Sequence, residues 1–144
     1  MKPIRIAIAL FFLSLQWCVA QKQSVDSLVK QLDNKDAYIV LTYTMSPRVS
    51  GTCANDLVKI GKKATPELIK VLENANQGII AHFILSEIWK DQWQEENCCR
   101  INKINGEEII TLNELEIHIK NNLLYATAQS LHKNKERWTL FWQA

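Results

Sequence analysis

The chain has 144 residues, 47% of them hydrophobic, and its 17 basic and 15 acidic residues give a formal net charge of +2. This length fits one domain that can bury a core of its own. The near balance of charge argues against a nucleic-acid or acidic-membrane binder, because both need a surplus of Lys and Arg to neutralise phosphate.

The first twenty residues have the pattern of a cleavable export signal. Lys2 and Arg5 precede an apolar run over residues 6–15, and small residues stand before a cut after Ala20. The apolar run is shorter than the roughly 20 residues that a membrane-spanning helix needs. We therefore expect the mature protein, residues 21–144, to be secreted or periplasmic, with a single domain and no integral membrane segment. The leader holds two of the 17 basic residues and no acid, so the mature chain carries no net formal charge.

Two helices are expected at the start of the mature chain. Ser24 can cap a first helix that extends to about Leu32, because apolar residues recur there at helical spacing. The next segment, residues 35–45, is apolar on most sides, but its Thr and Tyr content also suits a strand. An internal repeat, described below, favours a helix, which ends where Ser46-Pro47 breaks it before a loop.

Further helices are expected over residues 52–90. Thr52 begins one that ends at Gly61, a residue type that tolerates the positive φ of a helix terminus. Thr65-Pro66 opens the next, with Thr at the cap and Pro at the first helical position. The last, over about residues 77–90, is apolar enough to need neighbours on two sides. Its narrow polar stripe includes His82, which we expect at the surface.

A unit of about forty residues occurs twice in the chain. Residues 28–34 read LVKQLDN, residues 68–74 read LIKVLEN, and the match continues without a gap. Segment 57–89 resembles a HEAT or armadillo-type repeat, with a helix ending at a glycine, a short step through a proline and an antiparallel helix pair. The resemblance covers about residues 24–90. It implies a mainly α fold, an alpha-alpha superhelix of two degenerate units whose curved face binds other proteins.

A different pattern follows the repeat. Asn105-Gly106 between two alternating segments indicates a β-hairpin, since both turn positions need positive φ. We expect this hairpin as a small insertion near residues 99–111. Residues 112–122 are left open, because a capping-box spacing favours a helix whereas alternating apolar residues favour a strand. A helix is expected again over residues 123–132, followed by an aromatic tail at 138–142 that docks on the core.

Three cysteines belong to the mature chain: Cys53, Cys98 and Cys99. Export would place them in an oxidising compartment, so we expect a disulfide between Cys53 and either Cys98 or Cys99, with one thiol left over. The alternative is redox or nucleophilic chemistry at Cys53, whose expected place at a helix start favours the thiolate. No Cys-x-x-Cys motif accompanies it.

The sequence shows no motif for catalysis or cofactor binding. Its mature histidines, His82, His118 and His132, lack the short spacings of metal sites. The adjacent carboxylates Glu107 and Glu108 should point to opposite sides of a strand, which is wrong for shared acid-base work. Neither a phosphate-binding glycine loop nor a Gly-x-Ser-x-Gly elbow is present. We therefore expect no metal, no cofactor and no enzymatic activity.

Two tryptophans are candidates for partner binding. Trp89 and Trp93 stand one helical turn apart and could present a rigid aromatic pair to another protein. The alternative is that they cover the hairpin or receive the C-terminal tail.

Taken with the resemblance, these features predict an exported, non-enzymatic protein-binding or scaffold module with an unidentified protein partner and no affinity for nucleic acid. One alternative is a thiol-redox or metal-binding envelope protein that uses Cys53, Cys98 and Cys99. The other is a purely structural envelope component.

Overall fold

The computed structural model of the chain describes residues 23–41, 45–92, 100–104 and 106–144. The expected signal peptide and the cut after Ala20 lie outside the described residues, as do Trp93, Cys98 and Cys99. Export therefore stays a prediction. Within the described ranges, no helix combines the length and the apolar character needed to cross a membrane.

The fold is mixed α/β, so the predicted alpha-alpha superhelix of HEAT-like units is wrong. The α-helices are α1 (Val25–Val29), α2 (Thr52–Ile60), α3 (Thr65–Lys70), α4 (Gly78–Ile88) and α5 (Ala128–Gln143). The strands are β1 (Ala37–Leu41), β2 (Met45–Val49), β3 (Arg100–Ile104), β4 (Glu107–Leu112), β5 (Leu115–Lys120) and β6 (Leu123–Tyr125). Strands β1 and β2 form one antiparallel pair, and β3 to β6 form an antiparallel meander in chain order.

Residues 35–45, predicted as a helix, contribute strand β1. The segment is rich in β-branched and aromatic residues, which fit a pleated strand better than a helix. Its partner β2 includes Pro47, predicted to lie in a loop, which is aligned with Ile39 in the sheet. Proline is tolerated there because each strand of a two-stranded sheet has an open edge. The local preference of these residues for a strand therefore predicted their conformation correctly, whereas the repeat alignment predicted a helix wrongly.

Two amide side chains connect the two copies of the repeat. Asn34 Oδ1 accepts hydrogen bonds from the backbone N–H groups of Ile79, at 3.1 Å, and Ile80, at 3.0 Å. These are donors that the first turn of α4 would otherwise leave without partners. Gln77 Nε2 in turn donates to the carbonyl oxygen of Val29, the last residue of α1, at 3.1 Å. Each copy thus caps a helix of the other.

The hairpin predicted around Asn105-Gly106 is confirmed, since Ile104 pairs with Glu107 across a two-residue turn. It is the first half of the meander rather than an insertion. The β4–β5 and β5–β6 turns are equally short, and their central residues all have positive φ, as type I′ turns require. Residues 112–122 are therefore strand and turn. The helix predicted over 123–132 is wrong in its first part, because β6 precedes an α5 that begins at Ala128.

The core is one apolar cluster between the helices and the inner face of the meander. Helix α4 lies at its centre, with every residue from Gly78 to Ser86 buried. The inner face of the meander contributes Ile110, Leu112, Leu115 and Ile117. Helix α5 closes the core through Trp138, which is fully buried. The predicted aromatic tail is thus docked on the core, as the C-terminal end of α5.

Candidate functional site

His82, expected at the surface, is completely buried. Its Nδ1 accepts a hydrogen bond from Trp138 Nε1 at 2.9 Å, and its Nε2 donates to the Leu112 carbonyl oxygen at 3.0 Å. Burial, and to a smaller extent the nearby Arg137 guanidinium, lowers the pKa of His82 to about 3. The ring is therefore neutral and joins α4, β4 and α5. With both nitrogens occupied, it is a structural contact and offers no site for chemistry.

Trp89, a candidate for partner binding, belongs to the core. Trp89 is only 8% exposed, and its Nε1 donates a hydrogen bond to Thr65 Oγ1 at 3.0 Å. Its ring meets Phe141 and Trp142 of α5 edge-on, with centroids 5.1 and 5.8 Å apart. Lys62 Nζ lies 4.4 Å from the ring centroid. Trp89 thus packs against the C-terminal end of α5 in its own chain.

Cys53 lies in the first turn of α2, as predicted, but its expected disulfide is absent. The thiol is free and half-buried, and its Sγ lies 3.6 Å from Gln31 Oε1. The turn after α1 thus places the Gln31 side-chain amide, and no second sulfur of the described residues, against Cys53. A disulfide requires its two sulfurs to lie about 2 Å apart. The prediction of a bridge from this residue is therefore corrected.

The three histidines lie in different places: His82 in the core, His118 on the outer face of the meander, and His132 on α5 against Glu73. In the described part of the chain, no three His, Cys, Asp or Glu side chains are placed to hold one metal ion. Glu107 and Glu108 point to opposite faces of β4, since Glu108 pairs with Lys103 at 3.1 Å and Glu107 contacts His118.

A group of titratable side chains lies on the outer face of the meander. This outer-face cluster consists of Glu107, Glu116, His118 and Tyr125. Glu107 Oε1 accepts from the Tyr125 hydroxyl at 2.5 Å, and Glu107 Oε2 lies 3.3 Å from His118 Nδ1. His118 Nε2 lies 3.3 Å from Glu116 Oε1, and the His118 ring stacks on Tyr125 with centroids 4.9 Å apart. The cluster therefore ties β4, β5 and β6 together.

The electrostatics of the outer-face cluster fit a stiffening role. The hydrogen bond from Tyr125, and then the one from His118, lowers the pKa of Glu107. The same bond to Glu107 raises the pKa of Tyr125. Each polar group thus has its partner inside the cluster, and cross-strand contacts of this kind stabilise a sheet. Sequence reasoning missed the cluster, because it forms only through the registers that the turns at Asn113-Glu114 and Asn121-Asn122 set.

The two edges of the meander differ. The 3₁₀ turn at Asn34–Asp36 lies close to β6, although Leu123 of that strand remains 66% exposed. On the other side, no strand within the described residues pairs with the outer edge of β3. All of β3 is exposed, including Ile101 at 51% and Ile104 at 53%. We call this strand, Arg100–Ile104, the β3 edge.

No family model matches the chain, and no curated protein or solved structure matches it either.

Proposed function

We propose that the protein is an exported, non-enzymatic binding module that takes an extended segment of a partner protein at the β3 edge. The observation that carries the proposal is the outer edge of β3, with which no strand within the described residues pairs and whose residues are all exposed. A strand without a neighbour presents a row of backbone N–H and C=O groups, and an extended peptide can pair with that row. The export step is supported by the leader sequence.

The side chains of the β3 edge fit a recognition strand. Ile101 and Ile104 are large apolar residues left half in water, whereas Ile110 of the neighbouring strand β4 is buried. Lys103 lies between them and is 72% exposed at its side chain. A lysine on an open edge discourages indiscriminate strand pairing, so a partner has to offer a complement. The edge thus combines binding capacity with selectivity.

The remainder of the meander gives the edge a rigid support. Three two-residue turns leave little slack between its strands. The outer-face cluster joins β4 to β6 on one face, and the apolar core holds the other. A preformed strand loses little conformational entropy when a peptide pairs with it. The sheet is therefore ready for strand addition without rearrangement.

Site-specific photocrosslinking in the native cell tests the proposal. A photoreactive amino acid replaces Ile104 in one variant and Leu140 in the control, because Leu140 is 69% exposed on α5, far along the chain from β3. We expect a discrete protein adduct from position 104 that position 140 does not give. Adducts that are the same from both positions, or no adduct from position 104, would reject the β3 edge as the binding site.

A further inference from the structure

We infer that the partner segment pairs antiparallel with the backbone of Ile101 and Lys103 and places an aromatic side chain against Ile104, on the outer face of the meander. This inference rests on the proposed function and names the chemistry that the same site selects. It follows from the register of β3 on β4 and from a hollow that lies beside Ile104.

The two-residue turn after β3 determines which of its backbone groups face the open edge. Ile104 and Glu107 flank that turn, so they form a hydrogen-bonded pair of the antiparallel ladder. Such pairs alternate along a strand, so Asn102 also directs its N–H and C=O groups towards β4. The N–H and C=O groups of Ile101 and Lys103 point the other way. A strand added antiparallel, the more stable arrangement, would therefore form its backbone hydrogen bonds with these two residues.

The same register determines which side chains of β3 come closest to the partner. In an antiparallel pair, side chains are closer where the two residues do not exchange hydrogen bonds. On the open side of β3 these positions are Asn102 and Ile104, which lie on the outer face because they are opposite Ile109 and Glu107. Ile104 is 53% exposed, so a partner side chain beside it would bury apolar surface. The outer face therefore decides which segment binds best.

A hollow beside Ile104 has room for an aromatic ring. Its volume is about 490 Å³, and its lining includes Ile104, Ile109, Glu107 and His118. Ile109 is only 9% exposed, although it lies on the outer face and outside the apolar core. An aliphatic side chain would leave much of this space empty, whereas a ring can cover Ile104 and extend into the hollow. Aromatic residues also pair favourably with β-branched residues across strands.

An aromatic side chain would leave the nearby charge pairs intact. Lys103 Nζ lies 3.1 Å from Glu108 Oε1, and Glu107 Oε2 lies 3.3 Å from His118 Nδ1. A charged partner residue would have to compete with these pairs. A second copy of β3 does not supply the ring, because Arg100–Ile104 contains no aromatic residue. The β3 edge therefore favours a different chain over self-association.

Binding of two labelled peptides to the full mature chain, measured by fluorescence anisotropy, tests the inference. The aromatic probe is Thr-Val-Thr-Trp-Thr-Val-Thr, and the alanine probe replaces Trp with Ala. We expect the aromatic probe to bind about fivefold or more tightly, since it gains an aromatic pair with a β-branched residue. Equal affinities would overturn the inferred aromatic residue.

Two threonine variants test which face of β3 selects the ring. Ile104→Thr should remove the preference for the aromatic probe, because it removes apolar surface but keeps a β-branched residue in the strand. Ile101→Thr is the matched control. Ile101 is 51% exposed but lies opposite Ile110 of the core, on the inner face, so this variant should keep the preference. Equal losses of preference in the two variants would overturn the assignment to the outer face.

The backbone register is tested on both partners. Lys103→Pro removes an outward N–H, which an edge strand tolerates, whereas Lys103→Thr loses the same side chain and keeps the N–H. We expect only the proline variant to bind the aromatic probe about fivefold or more weakly. In the probe, methylating the nitrogen of the Thr that follows Trp should weaken binding, and methylating the Trp nitrogen should not, because only the former faces β3. Equal affinities within both comparisons would overturn the register. Thermal unfolding checks that the variants fold.

The outcome also separates this inference from the proposed function. If neither probe binds but the photocrosslink from position 104 forms with a protein, the inferred segment is wrong and the binding module remains. If the crosslink fails as well, both are rejected.

Discussion

The two copies of the repeat share a sequence pattern along their whole length but share structure only in their first halves. Residues 28–34 and 68–74 both run from a helix into a turn, and both bury their leucines. Forty residues apart, the continuations then differ, because one is strand β1 and the other is helix α4. Matching apolar positions therefore predicted the buried leucines of the first halves. They did not predict the backbone conformation of the second halves.

The second halves differ in their local composition and in their neighbours. Strand β1 reads AYIVL, a run of aromatic and β-branched residues, and β2 lies beside it to complete its backbone hydrogen bonds. Helix α4 reads GIIAHFILSEI and is buried on nearly all sides, so its backbone groups have to be paired within the helix. Local composition and neighbouring elements thus decided that similar apolar patterns form a strand in one copy and a helix in the other.

The largest expected effect tests the part that the copies share. Leu32→Ala and Leu72→Ala occupy equivalent positions, and both side chains are buried, at 5% and 0% exposure. Each substitution should lower the free energy of unfolding by about 2 to 5 kcal/mol, the cost of a cavity in a packed core. Urea unfolding at pH 7.5 measures it. Leu41→Ala on the exposed end of β1 is the control, with a change within about 0.5 kcal/mol. A loss for one leucine alone would show that the two helices are not equivalent in the core.

A second substitution tests what is special to α4. A Cβ added at Gly78 would collide with the Leu72 carbonyl oxygen and lie 2.8 Å from Leu131 Cδ2. Helix propensity alone predicts that Gly78→Ala stabilises by up to about 1 kcal/mol. We expect the collision to win and the variant to lose about 2 to 3 kcal/mol.

The control for this substitution is Gly61→Ala. Its added Cβ meets nothing within 4 Å, and it bears only the strain of a φ of +70°. With a ψ of −144°, this conformation is one that essentially only glycine adopts, and its strain should cost about 1 to 3 kcal/mol. A more stable Gly78→Ala variant in the same urea assay would contradict the close approach of α4 to Leu72 and α5.

The pH dependence of stability tests the burial of His82 in α4. Because the folded-state pKa, about 3, is below the ordinary value of 6.5, the unfolded chain binds the proton first. Stability is therefore full above pH 6.5 and falls as the pH drops from 6.5 towards 3. Between pH 7.5 and 5 the loss from this residue should be about 2 kcal/mol. The exposed His132, whose pKa is raised beside Glu73, contributes with the opposite sign and is screened by solvent.

His82→Gln isolates this contribution, since an amide can donate to Leu112 and accept from Trp138 without titrating. Urea unfolding at a series of pH values should show a flatter slope for the variant between pH 7.5 and 5. An unchanged slope would mean that other groups carry the pH dependence.

Local features of the sequence predicted local structure well. The helix end at Gly61, the helix start at Thr65-Pro66 and the hairpin at Asn105-Gly106 each depend on the φ preferences of one or two residues. The strand signal in residues 37–41 was also present, but the repeat outweighed it. The two later turns also carry a local signal, because three of their four positive-φ residues are Asn. Strands around these turns were not predicted from the sequence.

The candidate sites required long-range information. His82 is buried only because Leu112 and Trp138, 30 and 56 residues away in sequence, come together around it. The outer-face cluster likewise depends on the register of three strands. The β3 edge was contained in the predicted hairpin. Its exposure became clear only when the order of the four strands showed which strand lies at the end.

The smallest predicted effect tests the link between the copies. Asn34 and Asn74 are equivalent in the repeat, but Asn34 caps α4 through two backbone N–H groups, whereas Asn74 Oδ1 accepts only from the nearby Asn76 N–H, at 2.9 Å. Asn34→Ala should therefore lower the free energy of unfolding by about 1 to 2 kcal/mol, the usual cost of losing a helix cap. Asn74→Ala, measured in the same urea series, should cost less than about 0.5 kcal/mol.

Asn34→Asp sharpens this last test. The carboxylate keeps an acceptor for the two α4 donors and adds a favourable charge at the helix N-terminus, but it loses the donor that Asn34 Nδ2 gives to the Ala75 carbonyl oxygen at 2.8 Å. Its stability should therefore lie between those of the native chain and Asn34→Ala. Equal losses for the alanine variants at positions 34 and 74 would mean that the cap across the repeat contributes nothing. Burial alone would then explain why the second copy forms helix α4.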